Sequence, residues 1–330
     1  MKTIKLVIVA PGYMELPAPG WGAVERIVWD YYELLKNYKN TDTIKYDVLI
    51  INKPSYNLII QEYNKIIPKP DVVHIMYDDH ISVAKTIYET CKTIYYTSHF
   101  AYITHPEFST QYKTYFNNIF KKVIDNKDYI YINAITNDVK QTYIKYGFPE
   151  HKINIIYNGA RGDLFNYSIE PKNNNKSIYL GKIEIRKAQY KYQTIPNINF
   201  VGNYHNSNFN KNNNNYLGEW TKNEIYKNLS DYGNLILLSD GEADPLVVKE
   251  GLIAGLGIVV SECASANLDL SKKFINVIPN NKLNDLKYIE TIINENRNYS
   301  INNREEIREY ALNNFDWKNI IQNYCNICLI

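Results

Sequence analysis

The chain has 330 residues, more than the ~250 to 300 at which single hydrophobic cores stop growing, so two domains are expected. Hydrophobic residues at 45% and charged residues at 22% exclude a disordered chain. With 37 Lys and Arg against 35 Asp and Glu, the net charge of +2 excludes a general electrostatic attraction to nucleic acid, and an anionic ligand must be held locally.

The first apolar run, residues 4–10, is interrupted by Lys5 and followed at once by Pro11 and Gly12. It is too short for a signal peptide or a membrane span and reads as a strand. Further runs rich in Val, Ile and Tyr follow at 46–51, 72–76, 93–97, 129–134 and 153–157, separated by helical stretches. A second series lies at 177–180, 198–201, 235–238, 258–261 and 275–278. Strand and helix alternating at this spacing predict parallel sheets covered on both faces. The polar stretch 171–176 marks the boundary, which falls near 166–176. The expected organisation is a first Rossmann-like α/β domain over 1–168, a second over 169–312, and a terminal helix over 313–330. Two such sheets facing a cleft would line it with the carboxyl ends of their strands, where ligands of open α/β sheets bind.

Several features carry little functional weight. Residues 211–215 form an Asn-rich surface loop, and the formal glycosylation sequons at Asn166, Asn228 and Asn298 are chance products of an Asn-rich sequence. The cysteines, Cys91, Cys263, Cys325 and Cys328, read as reduced structural residues in a cytoplasmic protein. Segment 112–122 combines Lys with aromatics; it is a half-buried helix or a peripheral membrane contact.

The chemistry gathers at strand ends. In the first domain Pro17-Ala18-Pro19-Gly20-Trp21-Gly22-Ala23 forms a glycine loop between strand and helix, which lets backbone approach a diphosphate. His74 lies inside a strand and reads as a satisfied core residue, Asp78-Asp79-His80 as a strand-end loop, and His99 closes the strand 93–97. In the second domain Gly181, Lys182, Arg186 and Lys187 follow the first strand, with Arg186 the bystander. Next, Ser239, Glu242, Asp244 and Pro245 lead into a helix containing Glu250 and closed by Gly255 and Gly257. Asp244 and Pro245 read as N-cap and first helical position, leaving the N–H groups of Leu246 and Val247 as an anion site.

Here the sequence resembles the family 4 retaining glycosyltransferases of the GT-B fold, whose signature is two Glu separated by seven residues, then Ala-x-Gly and a Val-Val strand. Glu242 and Glu250 match it, followed by Ala254-Gly255-Leu256-Gly257-Ile258-Val259-Val260. Lys182 and Lys187 resemble the family's Gly-Arg and Lys-Gly pair, with Lys182 in place of Arg and Ala188 in place of Gly. Gly22 matches the first Gly of the family's Gly-Gly-x-Glu loop, His99 its strand-end His, and Asn314-Phe315-Asp316-Trp317 its closing segment.

The resemblance implies a nucleoside diphosphate sugar donor, UDP-sugar before GDP-sugar, and a glycan, lipid-linked or protein-linked acceptor on the first domain. It implies that Glu250 binds ribose and Glu242 lies beside the donor sugar. Lys182, Lys187 and the helix at Leu246 and Val247 would hold the diphosphate, backbone near Gly218 and Trp220 would read the base, and His99 would contact the sugar. The positive clamp would stand in for a divalent ion, so no metal or other cofactor is expected. The alternatives are a sugar-nucleotide epimerase on the same scaffold and a non-catalytic glycan- or nucleotide-binding protein. A nicotinamide dehydrogenase is disfavoured because no Gly-x-Gly-x-x-Gly follows the first strand.

Overall fold

A computed structural model describes residues 2–20, 22–38, 44–104 and 110–329. Trp21 of the glycine loop and the Tyr112 side chain lie outside the described residues. The chain divides into two compact units, Met1–Tyr157 with Ile320–Ile330, and Asn158–Asn319.

In the first unit six parallel strands, β1 (Lys2–Ala10), β2 (Ile44–Asn52), β3 (Val72–Ile75), β4 (Thr93–Tyr96), β5 (Tyr131–Ala134) and β6 (Ile153–Ile155), form one sheet of order β2-β1-β3-β4-β5-β6. Residues 6–10 of β1 are wholly buried, as a strand covered on both faces requires. The helix Ala23–Lys36 turns Ile27, Val28, Tyr31 and Leu35 inward at helical spacing. On the terminal helix Trp317–Cys328, Tyr324 accepts or donates a 3.1 Å hydrogen bond at His74 Nδ1, while Nε2 meets Thr97 Oγ1 at 2.8 Å. His74 is thus a satisfied core residue, and burial pushes its pKa down to about 3. In segment 112–122, Tyr115 and Phe120 are buried, and Phe120 stacks on Tyr143 at 5.0 Å. Among the described residues no helix is long and apolar enough to cross a membrane.

In the second unit β7 (Asn173–Leu180), β8 (Ile198–Val201), β9 (Tyr232–Leu237), β10 (Gly257–Ser261) and β11 (Ile275–Ile278) form a parallel sheet of order β11-β10-β9-β7-β8. Both sheets therefore repeat one topology, in which the first strand lies between the second and the third. The order reverses there, at β1/β3 and at β7/β9, and ligands of open α/β sheets bind beside the carboxyl ends of such strands.

Two sequence expectations shift. Residues 173–176, read as a polar boundary, are the start of β7; their side chains are partly or fully exposed, so composition hid the strand. The division falls after Tyr157 because the following residues are tied into the second unit: Ala160 pairs with Asp316, and Phe165 enters the core. Arg304 braces this unit. The residue is 2% exposed, and its guanidinium donates to the carbonyls of Ser168, Ser230, Tyr232 and Ala254.

Candidate functional site

At the carboxyl end of β7 the backbone passes through Gly181, whose N–H donates to Val201 O at 2.9 Å. Gly202 presses against it so closely that an added Cβ would lie 1.9 Å from Gly181 O, at a φ of +155°. Only glycine fits. The chain then makes a single turn over Ile185–Lys187 and leaves it through Ala188 at a φ of 55°. That is the left-handed region, which explains why the resembling family places glycine there.

The turn is anchored by Tyr179. Its hydroxyl accepts from the Leu238 N–H at 2.9 Å and donates to the Lys187 carbonyl, so one oxygen ties β7, the turn and the end of β9. Held this way, Lys187 Nζ reaches Glu242 Oε1 at 2.6 Å. The same oxygen accepts from Arg186 Nη1 at 2.9 Å and from Ser239 Oγ at 2.8 Å. Burial pushes the Glu242 carboxyl up, but Lys187 and Arg186 outweigh it and hold the pKa below the ordinary value. Arg186, read as a bystander, is instead a structural part of the site. It also donates to Gly241 O at 2.6 Å and to Glu184 Oε1 at 2.7 Å. Lys182, a third exposed, lies 3.9 Å from Glu184 Oε2.

Beyond Glu242 the chain enters the helix Leu246–Ile253, and here the cap differs from expectation. Pro245 occupies the N-cap position without a side-chain cap bond. Asp244 is committed elsewhere: its carboxylate pairs with Lys249, which is wholly buried on the helix, and accepts the Asn158 N–H at 3.1 Å. A buried cation needs a buried counter-charge, and that demand overrides the capping preference of Asp. Leu246 and Val247 remain partly exposed in the first turn, where N–H groups precede the first intrahelical bond.

Glu250, 5% exposed, pairs with Lys222, a residue that the sequence reading missed. Trp220, half-buried, packs on Tyr232 at 6.3 Å, and a Cβ added at the neighbouring Gly218 would meet nothing within 4 Å. Thus Lys182, Lys187, Glu242, Glu250, Leu246, Val247 and Trp220 all belong to the second unit.

Gly22 and His99 belong to the first. Gly22, at a φ of 109°, caps the helix Ala23–Lys36. Burial pushes the His99 pKa down to about 4, and its Nε2 has no hydrogen-bond partner among the described residues. Nearby in sequence, burial raises the Asp78 pKa to about 6 although Tyr96 and Tyr115 donate to its carboxylate. Among the described residues no three His, Cys, Asp or Glu side chains converge as a metal site.

No family model and no curated protein matches the chain. Solved structures do. Anabaena HepE in complex with UDP-glucose matches at a TM-score of 0.72 and 13% identity, with 98% of each chain covered. Sucrose-phosphate synthase from Thermosynechococcus elongatus matches at 0.75 and 12%, again over 98% of each chain. The lipopolysaccharide outer core galactosyltransferase WaaB, in its apo form, matches at 0.65 and 14%, over 98% of each chain. The fold is that of the GT-B glycosyltransferases, two α/β domains with parallel sheets.

Proposed function

We propose that this chain is a retaining glycosyltransferase that takes its sugar from a nucleoside diphosphate sugar without a metal ion. The observation that carries the reading is the meeting of Lys187 and Glu242 where β7 and β9 end, at the strand-order reversal and just before the helix that starts at Leu246. A strand-end cation beside a helix N-terminus is the chemistry of diphosphate binding. UDP is the first choice of nucleotide, supported by the likeness to HepE, which was solved with UDP and with UDP-glucose, and GDP the second.

In this reading the N–H groups of Leu246 and Val247, together with Lys182 and Lys187, bind the diphosphate. Glu250 takes the ribose hydroxyls, and the backbone around Gly218 and Trp220 takes the base. Glu242 lies beside the transferred sugar. The acceptor oxygen bonds to the anomeric carbon as the carbon–oxygen bond to the diphosphate breaks; the bonding pair leaves with the phosphate, and the acceptor proton moves to a phosphate oxygen on the same face. Positive charge fixed at that phosphate stabilises the leaving group most when its charge is greatest. No protein base is needed. The acceptor, a glycan or a lipid- or protein-linked sugar, is taken by the first unit, while Gly22 and His99 keep the roles that the resemblance implies, Gly22 toward the diphosphate and His99 toward the transferred sugar. The working location is the cytoplasm, with peripheral membrane contact for a lipid-linked acceptor.

The test is a screen of UDP- and GDP-sugars for hydrolysis or transfer without divalent ions, with the anomeric coupling of the product read by NMR. Retained configuration is expected. An inverted product overturns the mechanism, and failure to bind or turn over any of these donors overturns the function.

A further inference from the structure

We infer that Lys222 is a specificity-determining residue that makes the nucleotide site selective for ribose over deoxyribose; the inference rests on the donor reading above. Lys222 opens the helix Lys222–Asn228, whose N-terminus is already closed by a capping box between Thr221 and Glu224. A cation in a first helical turn opposes the helix dipole, so local structure gives no reason for a lysine there. Its ammonium is placed by tertiary partners instead: it donates to Glu250 Oε1 and lies over the Tyr226 ring at 4.9 Å and the Phe165 ring at 5.7 Å. The pair is largely buried, with side-chain exposures of 17% for Lys222 and 7% for Glu250. Trp220 and Gly218, in the segment assigned to the base, lie two and four residues before it.

A hydroxyl is the group that donates and accepts at one atom, whereas a carboxylate only accepts and an ammonium only donates. A ribose hydroxyl inserted at this pair donates to Glu250 and accepts from Lys222. An analogue lacking that hydroxyl gains neither bond and leaves the Lys222–Glu250 pair closed on itself beside a C–H, so only the ribonucleotide collects both charge-assisted bonds. Lys222 also holds the Glu250 carboxylate in place before the nucleotide arrives.

The experiment measures affinities of the full chain for UDP, 2′-deoxy-UDP and 3′-deoxy-UDP by calorimetry, with GDP and its deoxy analogues as the second series. The unaltered protein should prefer the ribonucleotide over one of its deoxy forms by at least ~100-fold. Lys222→Met should bring that preference below ~10-fold, and Lys222→Arg, which keeps the charge, should restore part of it. A preference unchanged in Lys222→Met, or affinities for ribo and deoxy forms that fall in parallel, overturns the inference while leaving the donor reading intact. Failure of the unaltered protein to bind either ribonucleotide overturns both. The melting temperature of each variant separates a loss of selectivity from a loss of folding.

Discussion

Lys187 Nζ lies 2.6 Å from Glu242 Oε1, so the cation assigned to the leaving phosphate is held, before any donor arrives, by the carboxylate assigned to the sugar. Neither side chain is free to drift. The pair therefore positions the charge ahead of the reaction, which is the condition under which electrostatic stabilisation costs no reorganisation.

Replacing Lys187 should show this in turnover. A charge-assisted hydrogen bond is worth ~1.5 to 3 kcal/mol, and one that strengthens in the transition state appears in kcat. Lys187→Ala should lower kcat by at least ~10-fold, equivalent to ~1.4 kcal/mol, while Lys182→Arg should be tolerated or improve turnover. Wild-type turnover in Lys187→Ala, measured by donor consumption, would falsify the phosphate role.

Nucleotide binding should be visible as stability. UDP or GDP at one hundred times its Kd adds ~2.7 kcal/mol, so it should raise the melting temperature without a divalent ion, and NAD should not. Glu250→Ala should weaken nucleotide and nucleoside monophosphate binding, leaving Lys222 without its counter-charge. A thermal shift that requires a metal ion would remove the argument from Lys182 and Lys187. Unchanged monophosphate affinity in Glu250→Ala would remove the assignment to ribose.

Acid should destabilise the first unit through His74. Its pKa is depressed to about 3 by burial, so the folded state excludes a proton that the unfolded state binds below about 6.5. Stability is then unaffected by this group above pH 6.5 and falls by ~1.4 kcal/mol per pH unit below it. His99, held neutral by burial in the same way, adds to the slope until about pH 4. Urea midpoints between pH 7 and pH 5 should show the fall, and His74→Gln should flatten it by about one proton. A slope identical in the variant would mean that His74 is charged in the folded protein.

Arg304 should be worth more to folding than any surface charge. It bonds four carbonyls from three segments of the chain, three of the bonds buried, and each buried carbonyl left unpaired costs ~1 to 3 kcal/mol. Arg304→Met is expected to lose at least ~3 kcal/mol in a denaturant melt of the whole chain. A loss under ~1 kcal/mol would show that water replaces the guanidinium.

The strands were legible because parallel strands buried on both faces must be continuous apolar runs, and all eleven appear close to the positions that those runs mark. The motif residues of the second unit were legible because strand ends and helix starts were. What sequence concealed were tertiary charge partners. Asp244 looked like a helix cap because its pairing with Lys249 is not one of the separations that share a helix face. A signal was present: Lys249 stands among Leu246, Val247, Val248, Leu252 and Ile253, and a lone cation on an apolar helix calls for a buried acid. Lys222 had no such signal, since a lysine opening a polar helix reads as solvated. Nor did Arg186, whose carbonyl and carboxylate partners are brought to it by the fold, 55 and 56 residues along the chain.

The Tyr179 hydroxyl gives the site a dependence on a residue that carries no charge at all. Because this hydroxyl accepts a hydrogen bond from the Leu238 N–H and donates one to the Lys187 carbonyl, it works as a joint between two parts of the backbone, and a phenyl ring of nearly the same size would fill the space without making the joint. Drift of that turn by a fraction of an ångström carries the Lys187 ammonium with it, and electrostatic catalysis is sensitive to such distances. The choice between tyrosine and phenylalanine at one buried position thus governs where the positive charge stands, in a chain that uses tyrosine 31 times and phenylalanine 10.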